Sequence, residues 1–468
     1  MTNIIRKRML LEILTVVIGI VVALIPAPAG LGQNAMWTMG ILVWAIANWI
    51  TKSMPDVTVI VIMLCLWSVF KIVPFTTAFS AFSGSTFWLL VGVFTLSAAI
   101  SKSGLLKRMS LMIMRLFPPT FKGQVMAMIG TGMVIGPFIP SSMAKISLTG
   151  PMAADIGRTL GFEPHSKGMT GMFLSMYTGF SLLAPTFISA SFFGYMILAL
   201  MPESVQKQFT WVFWLVAMLV WAIVVMVGSY FAITKLYSPK NTATMSKDLV
   251  NKQIETLGPV SLHEKITLLV LVICVLFWVF ESATGIPAVI PAVIGGVLLI
   301  AAGVLAVSDL SACLPWNILI FSGGVMGIAG ALGSVKITDW IGSAFGGPMG
   351  ALIANPYVFV LAGTVIFTML RFVLVDHMSA FTLFIVVLLP FAVASGVTPM
   401  LVGIVAYVNV MPFFVYYQNI QFVVAYEGFG GDKMAPFTSV SMYYFVYMAI
   451  STAGLLLTVP YWTVLGLL

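Results

Sequence analysis

Residues 136–145 read GPFIPSSMAK and residues 376–382 read DHMSAFT, and both polar runs interrupt long apolar stretches. In the first, prolines, a glycine and paired serines stop a helix and free its backbone N–H and carbonyl groups. Ser141, Ser142 and Thr382, with that freed backbone, have the groups to bind an anion or a small cation. Helix N-termini favour carboxylate and C-termini favour Na⁺; the plainer reading is a proline kink with capping serines. Lys145 follows the first break by one turn, and an intramembrane lysine is expensive and usually functional. It is a candidate counter-charge for a substrate, against the alternative of a snorkelling or salt-bridged lysine. In the second break, Asp376 and His377 follow Arg371 by roughly one to two turns. Arg371 and Asp376 read as a structural ion pair, and His377 as a group that binds a carboxylate or takes a proton near neutral pH. Two later stretches, 178–189 (TGFSLLAPTFIS) and 410–419 (VMPFFVYYQN), each carry a proline amid small or polar residues. Thr186 and Asn419 are their candidate binding side chains, whereas Pro185 and Pro412 taken alone read as simple kinks.

The elements that must hold these groups are membrane helices. The chain has 468 residues, is 60% hydrophobic and 8% charged, and has a mean hydropathy of +1.10. A soluble domain carries about 25% charged residues, so the composition predicts an all-α polytopic membrane protein. The first apolar run, Leu10 to Pro26, follows Arg6-Lys7-Arg8 without a small-residue cleavage site and reads as a retained helix rather than a signal peptide. Cys65, Cys274 and Cys313 are scattered, which makes neither a disulfide framework nor a metal site. The net charge of +8 is explained by topology and is no sign of nucleic acid. There is no phosphate loop, zinc-ligand spacing or paired-aspartate motif to support an enzyme, and no charged ring or filter-like loop to support an ion channel.

A crossing needs about 20 apolar residues. On that rule about 11 spans fall near 10–27, 35–51, 56–74, 84–102, 169–199, 209–234, 265–282, 286–307, 315–334, 399–425 and 438–466. The stretches 121–157 and 350–394 hold the two breaks. The arms of the first are short for a crossing and predict a re-entrant hairpin. The second is long enough for two full spans and is read as a hairpin by analogy. Lys and Arg collect in cytoplasmic loops. Of the 22 such residues, Lys145 and Arg371 lie inside the hairpins and only Lys71, Lys207 and Lys336 fall in outer loops when the N-terminus is inside. The remaining 17 then lie in inner loops, which predicts a cytoplasmic N-terminus and an extracytoplasmic C-terminus. Segment 104–117 is amphipathic, with Lys107, Arg108 and Arg115 on one face and Leu106, Met109, Met112, Ile113 and Leu116 on the other, as expected of a helix lying along the interface.

The run 87–104 (FWLLVGVFTLSAAISKSG) is similar to 318–335 (ILIFSGGVMGIAGALGSV), and an odd number of spans separates them, so the second copy is inverted in the membrane. The expected organisation is an extra first helix (1–34), a first repeat (35–237), a cytoplasmic linker (238–264) and a second repeat (265–468). Scaffold helices run to about 120 in the first repeat and to about 347 in the second, with hairpin and transport helices at 121–237 and 348–468. Paired interruptions in inverted halves point to the substrate site of a secondary transporter.

In order and spacing these motifs resemble the divalent anion/sodium symporter (DASS) family over almost the whole chain. The nearest branch is that of the citrate/succinate antiporters and 2-oxoglutarate/malate translocators. The resemblance rests on SGSTFWLLVGVFTLSAAISKSGLLKRMSL (83–111), PFIPSSMAKISLTGP (137–151), SAFTLFIVVLLPFAVASGVTP (379–399) and YWTVLGLL (461–468). It implies a homodimer with a fixed scaffold and a mobile transport unit. It also implies hairpin tips whose Ser-Asn-Thr-like motif binds substrate carboxylate and, in the symporters, Na⁺. The first tip matches at Ser141, with Ser142 and Met143 in place of Asn and Thr, and Lys145 stands where the antiporter branch commonly has Arg. The second tip, Ser379-Ala380-Phe381-Thr382, is similar to the Ser-Ala-His-Thr of that branch, with Phe381 in place of His. The expected substrate-binding residues are therefore Ser141, Ser142, Lys145, Thr186, His377, Ser379, Thr382 and Asn419, with Ser141, Ser142 and Thr382 as Na⁺ candidates. Met143 and Phe381 offer no hard oxygen ligand, and a fixed lysine can neutralise a carboxylate without a cation. The expectation is elevator-type, Na⁺-independent exchange of di- or tricarboxylates in an inner membrane, with Na⁺- or H⁺-coupled symport as the alternative. No cofactor and no nucleic-acid partner is expected.

Overall fold

The computed structural model describes residues 2–201, 203–239, 251, 254–341, 343–344, 355–374, 376–394 and 398–468. Within the linker expected at 238–264, residues 240–250 and 252–253 lie outside the described residues, as do 345–354, where the second broken stretch is expected to begin. Among the described residues every regular element is a helix. The physical reason is that lipid offers no hydrogen bonds, so each spanning segment must satisfy its own backbone. Among the described residues six helices are long and apolar enough to cross a membrane: Ser85–Ser103, Trp211–Leu236, Leu262–Val279, Trp316–Ser334, Pro356–Val373 and Phe437–Val464. Shorter apolar helices, Asp56–Val69, Val289–Ala301 and Pro399–Val410, lie among them. Large apolar side chains such as Leu269, Val297 and Met369 are exposed on outward faces, a surface that only lipid or another apolar partner covers. The protein is an all-α polytopic membrane protein.

Early helices of one repeat pack on early helices of the other and late on late, while further contacts join early to late, as of Phe192–Leu200 with Ser85–Ser103 and of His377–Ala394 with Gln33–Thr51. Asp56–Val69 packs on Trp316–Ser334, and Ser85–Ser103 packs on Val289–Ala301. Separately, Ser142–Thr159 packs on Ile420–Phe429, and Trp211–Leu236 packs on Phe437–Val464.

Two helix pairs carry the breaks. Phe121–Ile135 is opened by Thr120, whose hydroxyl accepts from the Gly123 N–H, and it ends in a 3₁₀ turn at Gly136–Phe138. Ser141 then caps Ser142–Thr159 by accepting from the Ala144 N–H at 3.2 Å. At 1.5 Å per residue the first arm spans about 22 Å, short of a hydrocarbon core of about 30 Å, whereas the second arm, Ser142–Thr159, spans about 27 Å and is longer than expected. In the second pair, Asn355 caps Pro356–Val373, Leu374 is extended, and His377–Ala394 follows. Its arms, of about 27 Å each, approach a full crossing.

The amphipathic segment forms the helix Leu105–Met114, but its faces differ from the expected ones. Arg108 turns inward and is buried, while Met112 and Leu116 are exposed. The reason is a partner beyond the reach of helical periodicity. Arg108 Nε donates to Glu264 at 2.6 Å, and its two Nη groups donate to the carbonyls of Leu257, Gly258 and Pro259.

Candidate functional site

The first late stretch is broken as its sequence indicates. Lys167–Tyr177 gives way to a π-helical turn at Thr178–Leu182 and then to short 3₁₀ turns, and helix resumes at Phe192–Leu200. Each freed carbonyl needs a donor, because a buried unpaired one is costly. The Tyr447 hydroxyl donates to Leu182, the Tyr407 hydroxyl to Ala184, and the Trp214 indole to Pro185. The Lys145 ammonium donates to the carbonyl of Ala190 at 2.9 Å. Ser189 Oγ donates at 2.7 Å to the carbonyl of Pro137, in the first tip, and accepts from the Trp211 indole. The first tip and the first broken helix are thus sewn together by Ser189 from one side and Lys145 from the other.

The second late stretch repeats the design with different residues. Helix Pro399–Val410 stops, and Ile420–Phe429 restarts under an Asn419 cap. Asn419 Oδ1 accepts from the N–H groups of Gln421 and Phe422, and its Nδ2 donates to the Met411 carbonyl at 2.9 Å. Arg371, in the last turn before the second tip, donates an Nη2 bond to the Gln418 carbonyl. Gln418 Nε2 returns a bond to the Arg371 carbonyl at 3.1 Å. Each hairpin therefore places one buried cation on a carbonyl of a broken helix in its own half.

The expected site residues divide by what their polar atoms do. Ser141 and Asn419 are occupied as helix caps. Ser379 donates to Asp376 from its hydroxyl at 2.9 Å and from its N–H at 2.7 Å, so Asp376 caps His377–Ala394. His377 is buried, with its ring 5.6 Å from that of Phe193, which also packs on Phe381 at 4.6 Å. Phe193 lies just past the first broken stretch, so it touches the second tip while Ser189 and Ala190 touch the first. Ser142, Thr186 and Thr382 are buried with hydroxyls that have no partner. Lys145 is 1% exposed, and its one bond is to Ala190. Arg371 and Asp376 do not form the expected pair: Asp376 lies 3.7 Å from Lys52 and 3.8 Å from His377. Arg371, Tyr177, Gln418 and Ser189 enter this centre without having been singled out as binding residues. For Arg371 and Gln418 the available signal was position, one flanking a tip and the other inside a broken stretch.

Chemically, these segments hold buried basic side chains and unpartnered hydroxyls, groups that can donate hydrogen bonds to an anion. Among the described residues no group of three His, Cys, Asp or Glu side chains could hold a metal ion. A cavity of about 890 Å³ opens between Ser80–Thr86, Ala199–Met201, Met326–Gly333 and Ile385–Pro390. It separates early helices from the second hairpin, and none of the expected binding residues lines it.

A helical membrane bundle with two interrupted helix pairs and two broken helices, joined around buried cations, has the architecture of a membrane transporter. Residues 6–468 match the family described as the sodium:sulfate symporter transmembrane region, and the chain belongs to that family, the divalent anion/sodium symporters. It is similar to the inner membrane protein YbhI of Escherichia coli (strain K12), with 27% identity over 73% of this chain and 74% of that one. It is also similar to the chloroplastic dicarboxylate transporter 1 of Spinacia oleracea, with 24% identity over 71% of this chain and 59% of that protein. In fold it matches the YdaH transporter of Alcanivorax borkumensis with a TM-score of 0.54 at 14% identity, covering 84% of this chain and 88% of that one. The family, the chloroplastic relative and YdaH carry the names of transporters, not enzymes.

Proposed function

We propose that the chain is a secondary carrier for di- or tricarboxylate anions of the malate, succinate, 2-oxoglutarate or citrate type, and that it works by elevator-type exchange. The observation that carries this reading is Lys145, a fully buried cation tied to a single carbonyl, with no carboxylate of the described chain in ion-pair range. A charge so placed is strongly disfavoured unless an anion meets it. Ser142, Thr186 and Thr382, buried with free hydroxyls, supply neutral donors alongside it. The dicarboxylate transporter among the relatives supports the substrate class. The pairing of early helices with early and of late with late across the two repeats supports a scaffold and a mobile unit. In this reading the protein is an inner-membrane homodimer with its N-terminus in the cytoplasm.

The test is counterflow in proteoliposomes with labelled malate, succinate, 2-oxoglutarate and citrate, run with and without a Na⁺ gradient. Exchange predicts uptake driven by internal dicarboxylate alone, whereas strict dependence on Na⁺ overturns the coupling. That second outcome belongs to Na⁺-coupled symport, a reading favoured by the free oxygens of Ser142 and Thr382, which are hard ligands of the kind Na⁺ takes.

A further inference from the structure

Arg371 is the second buried cation of the centre, and its chemistry is only partly used. One Nη2 bond goes to Gln418, while Nε and Nη1 have no acceptor, at 2% exposure. Gln418 fixes the arginine in place, because its Oε1 accepts from the N–H groups of Phe414 and Val415 at 2.7 and 3.1 Å while its Nε2 holds the Arg371 carbonyl. The free donors are therefore held at one spot rather than left to swing. Tyr177, the last residue before the first broken stretch, packs on Phe413, whose neighbour Phe414 donates its N–H to the Gln418 that holds Arg371. The Tyr177 hydroxyl is fully buried and unbonded. The Tyr444 hydroxyl is likewise buried and unpartnered. The two tyrosine rings lie 6.2 Å apart, and both pack on Phe413 of the second broken stretch, at 5.9 and 4.0 Å.

We propose that Arg371, with the hydroxyls of Tyr177 and Tyr444, forms an oxyanion subsite that receives the second negatively charged group of the transported anion. A guanidinium and phenol hydroxyls are all donors, and in a dry aromatic setting such donors bind an oxyanion strongly. The subsite draws on both repeats, and its cation, Arg371, is on the opposite repeat from Lys145. A substrate with two negative groups satisfies both cations, and one with a single group leaves Arg371 uncompensated. The inference rests on the carrier reading and adds the group that gives the site its preference for doubly charged anions.

The test measures ligand-induced thermal stabilisation of the purified full-length protein by succinate, sulfate and butyrate, alongside succinate counterflow. Wild type, Arg371→Gln, Arg371→Lys and Tyr177→Phe are compared. The expected result is a loss of succinate affinity of roughly ten- to hundredfold in Arg371→Gln, with the preference for succinate over butyrate gone. Tyr177→Phe gives a smaller loss, and Arg371→Lys recovers part of the preference, which a packing role does not predict. Should Arg371→Gln fail to fold, Tyr177→Phe and Arg371→Lys carry the comparison. Unchanged succinate affinity and preference in the folded variants overturns the subsite alone and leaves the carrier reading standing. Stabilisation through Arg371 by an anion that never crosses the membrane upholds the subsite and ends the carrier reading. No stabilisation of wild type by either dianion overturns the subsite.

Discussion

Lys52 Nζ lies 2.8 Å from both carboxylate oxygens of Asp56 and 3.7 Å from Asp376. One lysine thereby joins the turn after the early helix Gln33–Thr51 to the cap of the second hairpin's returning helix. The turn is built to present it: Lys52 is left-handed with φ 52°, its N–H bonds the Asn48 carbonyl, and Ser53 donates to Asn48 Oδ1 at 2.7 Å. If early helices stay fixed while hairpins move, this contact must part in every cycle.

That movement is testable by tethering. In a background lacking the three free cysteines Cys65, Cys274 and Cys313, Lys52→Cys with Asp376→Cys is expected to stop counterflow when bridged by a short cleavable bifunctional thiol reagent. Reduction should restore it. Full transport by the bridged protein would show that these two elements travel together, against an elevator.

Lys145→Met is expected to separate binding from stability. Removing an unpaired buried ion relieves its desolvation, while the Ala190 carbonyl loses its donor, and the two effects oppose each other. The melting temperature in detergent should therefore change little, while succinate affinity falls by roughly tenfold or more. A stability loss with unchanged affinity would make the lysine a structural clamp on Ala190 and nothing more.

Arg108 and Glu264 form a pair whose side chains are 8% and 6% exposed. Breaking one partner of such a pair costs about 3–5 kcal/mol. Arg108→Gln should lower the unfolding temperature markedly and free the Leu105–Met114 helix to exchange amide hydrogens. Loss comparable to that of the exposed pair Arg158–Asp155 would mean the burial confers nothing.

The helix Phe121–Ile135 touches the π-helical turn backbone to backbone. A Cβ added at Gly132 would sit 2.1 Å from the Gly179 carbonyl, and one added at Gly179 would sit 2.4 Å from the Met128 carbonyl. Backbone cannot yield as a side-chain tip does, so Gly132→Ala should destabilise by about 1–3 kcal/mol through overpacking. It should also slow transport, since it pushes the first hairpin off the broken helix. Thermal unfolding and counterflow on the same preparation check both.

Some of this was legible without coordinates. Prolines amid small or polar residues interrupt helices near 136–141, 178–191 and 411–419, close to where the sequence places the breaks, although Pro151, beside Gly150, is carried inside a helix. The face of the Leu105–Met114 helix was not legible, because Arg108 is turned inward by Glu264, far along the chain. Nor was the partner of Asp376. Proximity in sequence suggested Arg371, but the tip delivers Asp376 to Lys52 and leaves Arg371 on a carbonyl.

By itself the sequence determined the class of molecule and the places where its helices fail, since hydropathy and backbone chemistry act locally and do not depend on what lies across the bundle. Only the tertiary structure decided which donor answers each freed carbonyl. Lys145 reaches Ala190, Tyr447 reaches Leu182, Tyr407 reaches Ala184 and Arg371 reaches Gln418. These pairings join segments far apart in sequence, and nothing local specifies them: each follows from the need to satisfy a buried polar group with whatever donor the packing brings within reach.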